Sequence, residues 1–292
     1  MKWPAGEMRM GDIWYVDGEY VERAAAQLPA DDLAVLRGYG IFDFTRTYSG
    51  RPFRLDAHLR RLQRSADLIL LELPHSLDDI RDIALETLAR NGYLGGGEAR
   101  LRLVVTGGGS PDDITPAGPG RLLVLVTPFV AQPAERYREG VKLVSDAQER
   151  YLPEAKTINY VPAVVALRRA QQAGAVEAIY VNRQGQALEG TTTNLFAVCG
   201  GRLVTPVDDI LYGVTRQAVL ELAADRMPVE QRPLPLDELL RADEAFIVSS
   251  SKEVCPVRQI DDSVIGQGAP GPHTRALMQA FTELAAASVR RG

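Results

Sequence analysis

The chain has 292 residues, 46% hydrophobic and 24% charged, the balance of a globular protein with one large or two ordinary domains. A net charge of −5 argues against nucleic acid or an anionic membrane surface as partner, and no apolar run approaches the length of a membrane span. Three scattered histidines give a His-based metal site little support, and Cys199 and Cys255, without CxxC spacing, read as reduced thiols of a cytoplasmic protein. The first residues, MKWPAGEMRM, lack the apolar core of a signal peptide.

Residues 12–16 (DIWYV) read as a strand and Asp17-Gly18 as a turn. Residues 42–48 (FDFTRTY) alternate, and Ser49-Gly50 turns them into 52–55 (PFRL), a hairpin signal. Leu55, Leu59, Leu62, Ala66 and Ile69 then form one apolar helical stripe. A second helix runs to Asn91-Gly92, a good C-terminal stop. Two β-rich runs follow, 100–106 and 121–127, separated by the Gly/Pro-rich loop GGGSPDDITPAGPG, whose length suggests a function.

Residues 128–135 read as a linker between an N-terminal domain, 1–127, and a C-terminal domain, 136–292. In the second part, 141–145 reads as a strand and 162–173 as a helix with Pro162 in its first turn. A strand, a turn at Gly185 and a further strand occupy 177–198, and helices are predicted at 215–225 and 272–288. Strands and helices mix in both halves, so the expected class is α+β in two domains, with a groove between them as the default site.

Four stretches carry chemistry: 58–66 (HLRRLQRSA), 156–160 (KTINY), 189–196 (EGTTTNLF) and 213–216 (GVTR). There are four lysines, Lys2, Lys142, Lys156 and Lys252, against 29 arginines, so an amine nucleophile has few candidates. Taken in order, the four stretches resemble the fold-type IV pyridoxal-phosphate enzymes, over nearly the whole chain from Asp12 to Gln279. That family holds D-amino acid and branched-chain aminotransferases and aminodeoxychorismate lyases. The resemblance implies a homodimer with shared active sites and pyridoxal 5'-phosphate between the two domains.

It also implies roles. Lys156 is the Schiff-base lysine, an amine that forms an imine and then shuttles a proton. In place of an ordinary turn carboxylate, Glu189 pairs with the pyridine nitrogen, where a carboxylate favours the protonated ring. Arg61, picked from Arg60 and Arg64 by the His-x-x-Arg-Leu pattern, meets the phosphate. Val214 and Thr215, behind Gly213 at a helix start, offer backbone N–H groups to the same phosphate. Ser250, in a run of three serines, adds a hydroxyl. Tyr160 hydrogen-bonds the phenolic oxygen and Leu211 packs on the ring. Lys252 is read as non-catalytic.

Two departures bear on substrate. Branched-chain enzymes carry a YGxxxFEGxR pattern where this chain has RGYGIFDFTR, with Asp43 and Phe44 in place of Glu-Gly. D-amino acid aminotransferases carry an Arg-x-His pair in the loop after the VTRG strand, where Asp112 and Ile114 stand here. Arg37 and Arg102 are therefore the candidates for a replacement carboxylate trap, Arg37 through the partner subunit. The wording of the first hairpin favours D-amino acids as donors and 2-oxoglutarate or pyruvate as acceptor. The alternatives are an L-branched-chain aminotransferase and an aminodeoxychorismate lyase.

Overall fold

The computed structural model describes residues 12–290. Its contacts divide the chain into two compact units. One comprises 12–131, Ala155–Asn159 and 288–290; the other comprises Gln132–Glu154 and Tyr160–Ala287.

The first unit runs β1 (Ile13–Val16), β2 (Glu19–Glu22), α1 (Leu33–Arg37), β3 (Gly40–Tyr48), β4 (Arg51–Pro52), α2 (Leu55–Leu68), α3 (Leu77–Arg90), β5 (Ala99–Thr106) and β6 (Arg121–Pro128). Its strands form one antiparallel sheet in the order β2-β1-β6-β5-β3-β4. Asp17 and Gly18, both at positive φ, make the tight turn of the first hairpin. Period-two alternation sends Ile41, Leu101, Leu103, Val105, Val124 and Val126 to one face. There they pack with Leu59, Leu62 and Ala66 of α2 and Ile80, Ala84 and Leu88 of α3. The expected stripe on α2 is this buried face. The opposite sheet face carries Phe42, Phe44, Arg100, Arg102 and Leu125, half-buried or exposed.

The second unit runs α4 (Ala134–Glu139), β7 (Val141–Ala147), α5 (Val161–Gln172), β8 (Glu177–Val181), β9 (Gln186–Gly190), β10 (Asn194–Cys199), β11 (Arg202–Thr205), α6 (Val214–Ala224), β12 (Val229–Gln231), β13 (Leu234–Pro235), α7 (Leu236–Leu240), β14 (Glu244–Ser249), β15 (Glu253–Ile260), β16 (Ser263–Val264) and α8 (Pro272–Arg290). The strand path β10-β14-β15-β7-β8-β9 returns to β10 through the pair Asn194↔Glu189, so six strands close on themselves. Leu143, Ile179, Leu195, Ile247 and Val257 belong to one buried cluster. Closure explains why β8, β10 and β14 are buried almost throughout instead of alternating.

Three expectations need correction. Residues 52–55 are not a full hairpin arm: β4 ends at Pro52, and Leu55 already opens α2. The expected linker 128–135 is not all irregular, since Pro128 closes β6 and α4 begins at Ala134. The C-terminal domain does not carry Lys156. Residues Ala155–Asn159 join the first unit because they pair with the edge of β3, Phe42 N donating to Lys156 O (2.9 Å) and Ile158 N to Gly40 O (3.0 Å).

Leu62 is fully buried between α2 and the sheet. Truncation to Ala removes apolar contact and leaves a cavity, so Leu62→Ala is expected to lower the unfolding free energy by about 2–5 kcal/mol. Urea unfolding with an unchanged m-value checks this; a loss below about 1 kcal/mol would contradict the packing.

Candidate functional site

In the first unit the Lys156 amine stands 4.6 Å from the centre of the Phe42 ring. Its backbone N–H donates to Ser65 Oγ (3.1 Å), and that hydroxyl donates in turn to Arg61 O (2.8 Å). The lysine is thus pinned from both sides, by the edge of β3 and by α2. The Arg102 guanidinium, from the neighbouring strand, lies 5.4 Å from the same Phe42 ring. Two cations on different elements lie beside the same aromatic ring.

Arg61 lies on the buried side of β3. Its Nε and Nη2 donate to Asp43 Oδ2 and Oδ1, both at 2.8 Å, a bidentate pair with a fully buried carboxylate. His58 Nδ1 lies 2.6 Å from Asp43 Oδ1. Burial by itself would raise the Asp43 pKa, but Arg61 and His58 outweigh it and hold the carboxyl well below the usual carboxylate range. Burial pushes His58 below its ordinary value, against the upward pull of Asp43. Asp43, which departs from the branched-chain pattern, therefore fixes Arg61, the residue expected to meet phosphate.

In the second unit Glu189 is buried on β9. Its Oε1 accepts from Arg150 Nη1 (2.8 Å) and its Oε2 from Leu211 N (3.0 Å), a donor set that suits an ionised carboxylate. Asn194 Nδ2 donates to Leu211 O (2.7 Å), so β9 and β10 together hold the loop before α6. Gly213 caps α6 without any side-chain cap, and a Cβ on it would meet Asn194 Oδ1 at 2.0 Å. Only glycine fits there, and the backbone at the start of α6 is bare. Val214 and Thr215 are buried in the first turn. Tyr160 precedes α5 as its N-cap, half-buried. Ser250 lies in the turn between β14 and β15, where Lys252 N donates to Ser249 O (3.2 Å).

Lys252 is engaged elsewhere. Its amine donates to Thr192 Oγ1 (2.8 Å) and lies 3.2 Å from Glu177 Oε2 as an ion pair without hydrogen-bond geometry. Buried Glu177 also accepts from Thr191 Oγ1 (2.9 Å), so the group braces the turn after Glu189. Arg37 is exposed at the end of α1 and donates to Leu36 O (2.9 Å). It does not line the cleft that holds Arg102, so within one chain the two arginines do not form a trap. Asp112 is turned into its own loop, accepting from Thr115 N (2.6 Å), Ile114 N (3.0 Å) and Ser110 Oγ (2.9 Å), which hold its pKa well below the usual range. Sequence reasoning missed Arg150, Ser65 and His58, although His58 and Ser65 both stand inside the stretch 58–66 (HLRRLQRSA).

The model of the amino-transferase class IV family matches residues 40–260, which span every one of these groups except Arg37. The chain belongs to the class IV aminotransferases. It is 34% identical over 270 residues to a D-alanine aminotransferase of Bacillus licheniformis, covering 91% of this chain and 94% of that one. It is 32% identical over 278 residues to a Methanocaldococcus jannaschii protein provisionally named branched-chain-amino-acid aminotransferase, covering 92% and 95%. Among solved structures, the T.th. branched-chain amino acid aminotransferase with pyridoxamine 5'-phosphate matches with a TM-score of 0.87 at 28% identity, covering 94% of each chain.

Class IV aminotransferases use pyridoxal phosphate, and the residues here fit that group. The bare start of α6 behind Gly213 suits a phosphate. The buried, donor-held Glu189 suits a protonated ring nitrogen. The amine of Lys156 suits a carbonyl carbon.

His58 sets a pH dependence. The unfolded chain protonates this residue near about pH 6.5, whereas the buried imidazole, with its lowered pKa, stays neutral. The unfolded state then binds more protons as pH falls, so stability drops by up to about 1.4 kcal/mol per pH unit below about 6.5. Asp43 acts with the same sign but only below about pH 4, because its folded pKa is the depressed one. Urea titrations between pH 5 and 7 are expected to give a shallower slope for His58→Gln than for wild type; equal slopes would remove His58 as the source.

Proposed function

We propose that this enzyme moves the amino group of a D-amino acid to a 2-oxo acid such as 2-oxoglutarate or pyruvate, with Lys156 as the covalent and proton-transferring residue. The observation that carries the reading is the shared Phe42 ring, with the Lys156 amine 4.6 Å and the Arg102 guanidinium 5.4 Å from its centre. An amine that reacts at the amino-bearing carbon needs a cation nearby for the carboxylate on that carbon, and Arg102 supplies one.

Pyridoxal phosphate, when bound, supplies the electron sink for the pair left at the substrate Cα. Lys156 would supply the amine that holds the carbonyl carbon and, once the substrate amine had taken its place, its Nζ would move the proton from the substrate Cα to that carbonyl carbon. Glu189, fixed by Arg150 and Leu211 N, keeps a proton on the ring nitrogen. Arg61, aimed by Asp43, is a phosphate ligand of the first unit; the N–H groups of Val214 and Thr215 and the Ser250 hydroxyl are the phosphate ligands of the second. Tyr160 donates to the phenolic oxygen, and the Leu211 side chain packs on the ring. Arg37 acts from a second copy of the chain in a homodimer.

The preference for D-amino acids is supported by the first hairpin and by the several D-alanine aminotransferases among the relatives. The similarity to branched-chain aminotransferases of known structure favours a second reading, L-branched-chain donors.

Lys156→Ala is expected to abolish both the visible absorption of the bound cofactor and amino-group transfer; retained turnover would refute the assignment. Arg102→Ala is expected to raise the apparent KM for the amino donor by about tenfold or more, and an unchanged value would remove it from carboxylate binding. Half-reaction spectra with matched D- and L-amino acids decide the handedness: faster conversion by L-leucine than by any D-amino acid would establish the second reading instead.

A further inference from the structure

We propose that Arg216 is a buried positioning charge for the cofactor phosphate. Without touching the phosphate, it holds the loop before α6 and makes the second unit select phosphorylated pyridoxal over the unphosphorylated aldehyde. The proposal rests on the reading of the α6 start as a phosphate site and adds the group that makes this site demand an anion.

Arg216 is the third residue of α6 and is only 4% exposed. Its Nη2 donates to Pro206 O (2.9 Å) and to Gln231 Oε1 (3.1 Å), and its buried Nε meets no acceptor among the described residues. Both acceptors are neutral, and Arg216 forms no ion pair among the described residues. Less buried arginines of this chain do have carboxylate partners: Arg61 is paired with Asp43, and Arg150 with Glu189. Burial lowers the Arg216 pKa from its ordinary value. The guanidinium still stays charged, because arginine does not give up its proton in proteins. A buried charge without a counterion is costly to the fold.

The helix adds to that cost. The start of α6 is the positive end of its dipole, where carboxylates are favoured and cations are not. Three other helices follow this rule, with Asp56 in the first turn of α2, Asp78 and Asp79 in α3, and Asp237 and Glu238 in α7. The first turn of α6 has no acidic residue and carries Arg216 instead. The stem of Arg216 lies behind the bare cap, since a Cβ on Gly213 would come 3.4 Å from Arg216 Cβ. An unpaired guanidinium and an uncapped helix end thus coincide, and a dianion at that end offsets both. The same side chain shapes the backbone that meets the anion. The loop from Pro206 to Gly213 is tied to α6 at its first residue by Arg216, and at Leu211 it is tied to Glu189 and Asn194.

The test is titration of the full-length chain, freed of cofactor, with pyridoxal 5'-phosphate and with pyridoxal, read by visible absorption. The probes share ring and aldehyde, so the ratio of their affinities isolates the phosphate. Two substitutions separate charge from packing: Arg216→Lys keeps the charge, and Arg216→Gln removes it while keeping a donor. Wild type is expected to prefer the phosphorylated probe by about a hundredfold or more. Arg216→Lys is expected to stay within about threefold of that ratio, and Arg216→Gln to lower it about tenfold with pyridoxal affinity unchanged. Arg216→Met supplies a second neutral side chain should Arg216→Gln not fold. A ratio that survives in a folded neutral variant would overturn the proposal. So would an equal loss of affinity for both probes, or a ratio lost as fully in Arg216→Lys as in the neutral variant, since the arginine would then be a packing element only. A wild-type chain with no preference between the probes would instead overturn the phosphate reading of α6 itself.

Discussion

The placement of Lys156 depends on two backbone hydrogen bonds, from Phe42 N to Lys156 O and from Ile158 N to Gly40 O. They hold a five-residue segment, Ala155–Asn159, on the edge of β3, a strand distant from it in sequence. A lysine has a long, flexible side chain, and ordering it costs up to about 2 kcal/mol of side-chain entropy. Fixing its backbone at both N–H and C=O lowers the remaining freedom to the side chain alone. The same pairing sets the height of Lys156 along the sheet, so its amine meets Phe42 and not Phe44. The positions of Arg102 and Arg100 relative to the amine then follow from strand register.

Both faces of β3 are used, and for opposite purposes. Asp43 points to the buried side, where Arg61 and His58 surround it. Removing one partner of such a group leaves an uncompensated buried charge, which is costly. The arrangement therefore fixes Arg61 firmly at the expense of tolerance to substitution. Phe42 and Phe44 point to the other side, where they support exposed or half-buried cations. One strand thus separates a dry, ion-paired cluster from cations that lie nearer the surface.

The elements with a strong local period were legible in the sequence: α2 with its stripe, α5 with Pro162 in its first turn, β5 and β6 by composition. The order of the strands was not, because register and closure are tertiary facts. A single pair, Asn194↔Glu189, closes the second unit, and no pattern in EGTTTNLF announces it. The capture of Lys156 by the first unit was hidden for the same reason, since EAKTINY has neither strand alternation nor a turn signal on both sides. Among site residues, Lys156, Glu189, Arg61 and the 213–215 turn stood out through the family resemblance. Their supports did not: Arg150 meets Glu189 across 39 positions and Ser65 meets Lys156 across 91, separations at which a sequence carries no local signal.

In the loop after β5, Asp112 satisfies its own turn and leaves no cation where D-amino acid aminotransferases carry one. Arg100 and Arg102 instead lie on β5, a central strand paired with β6 over its whole length and with β3 from Arg100 to Thr106. A loop adapts to its ligand by moving, but a central strand cannot move without breaking two ladders of hydrogen bonds. Recognition from a strand is therefore rigid: the spacing of Arg100 and Arg102 is set by the backbone rise of roughly 3.3–3.4 Å per residue, and not by the substrate.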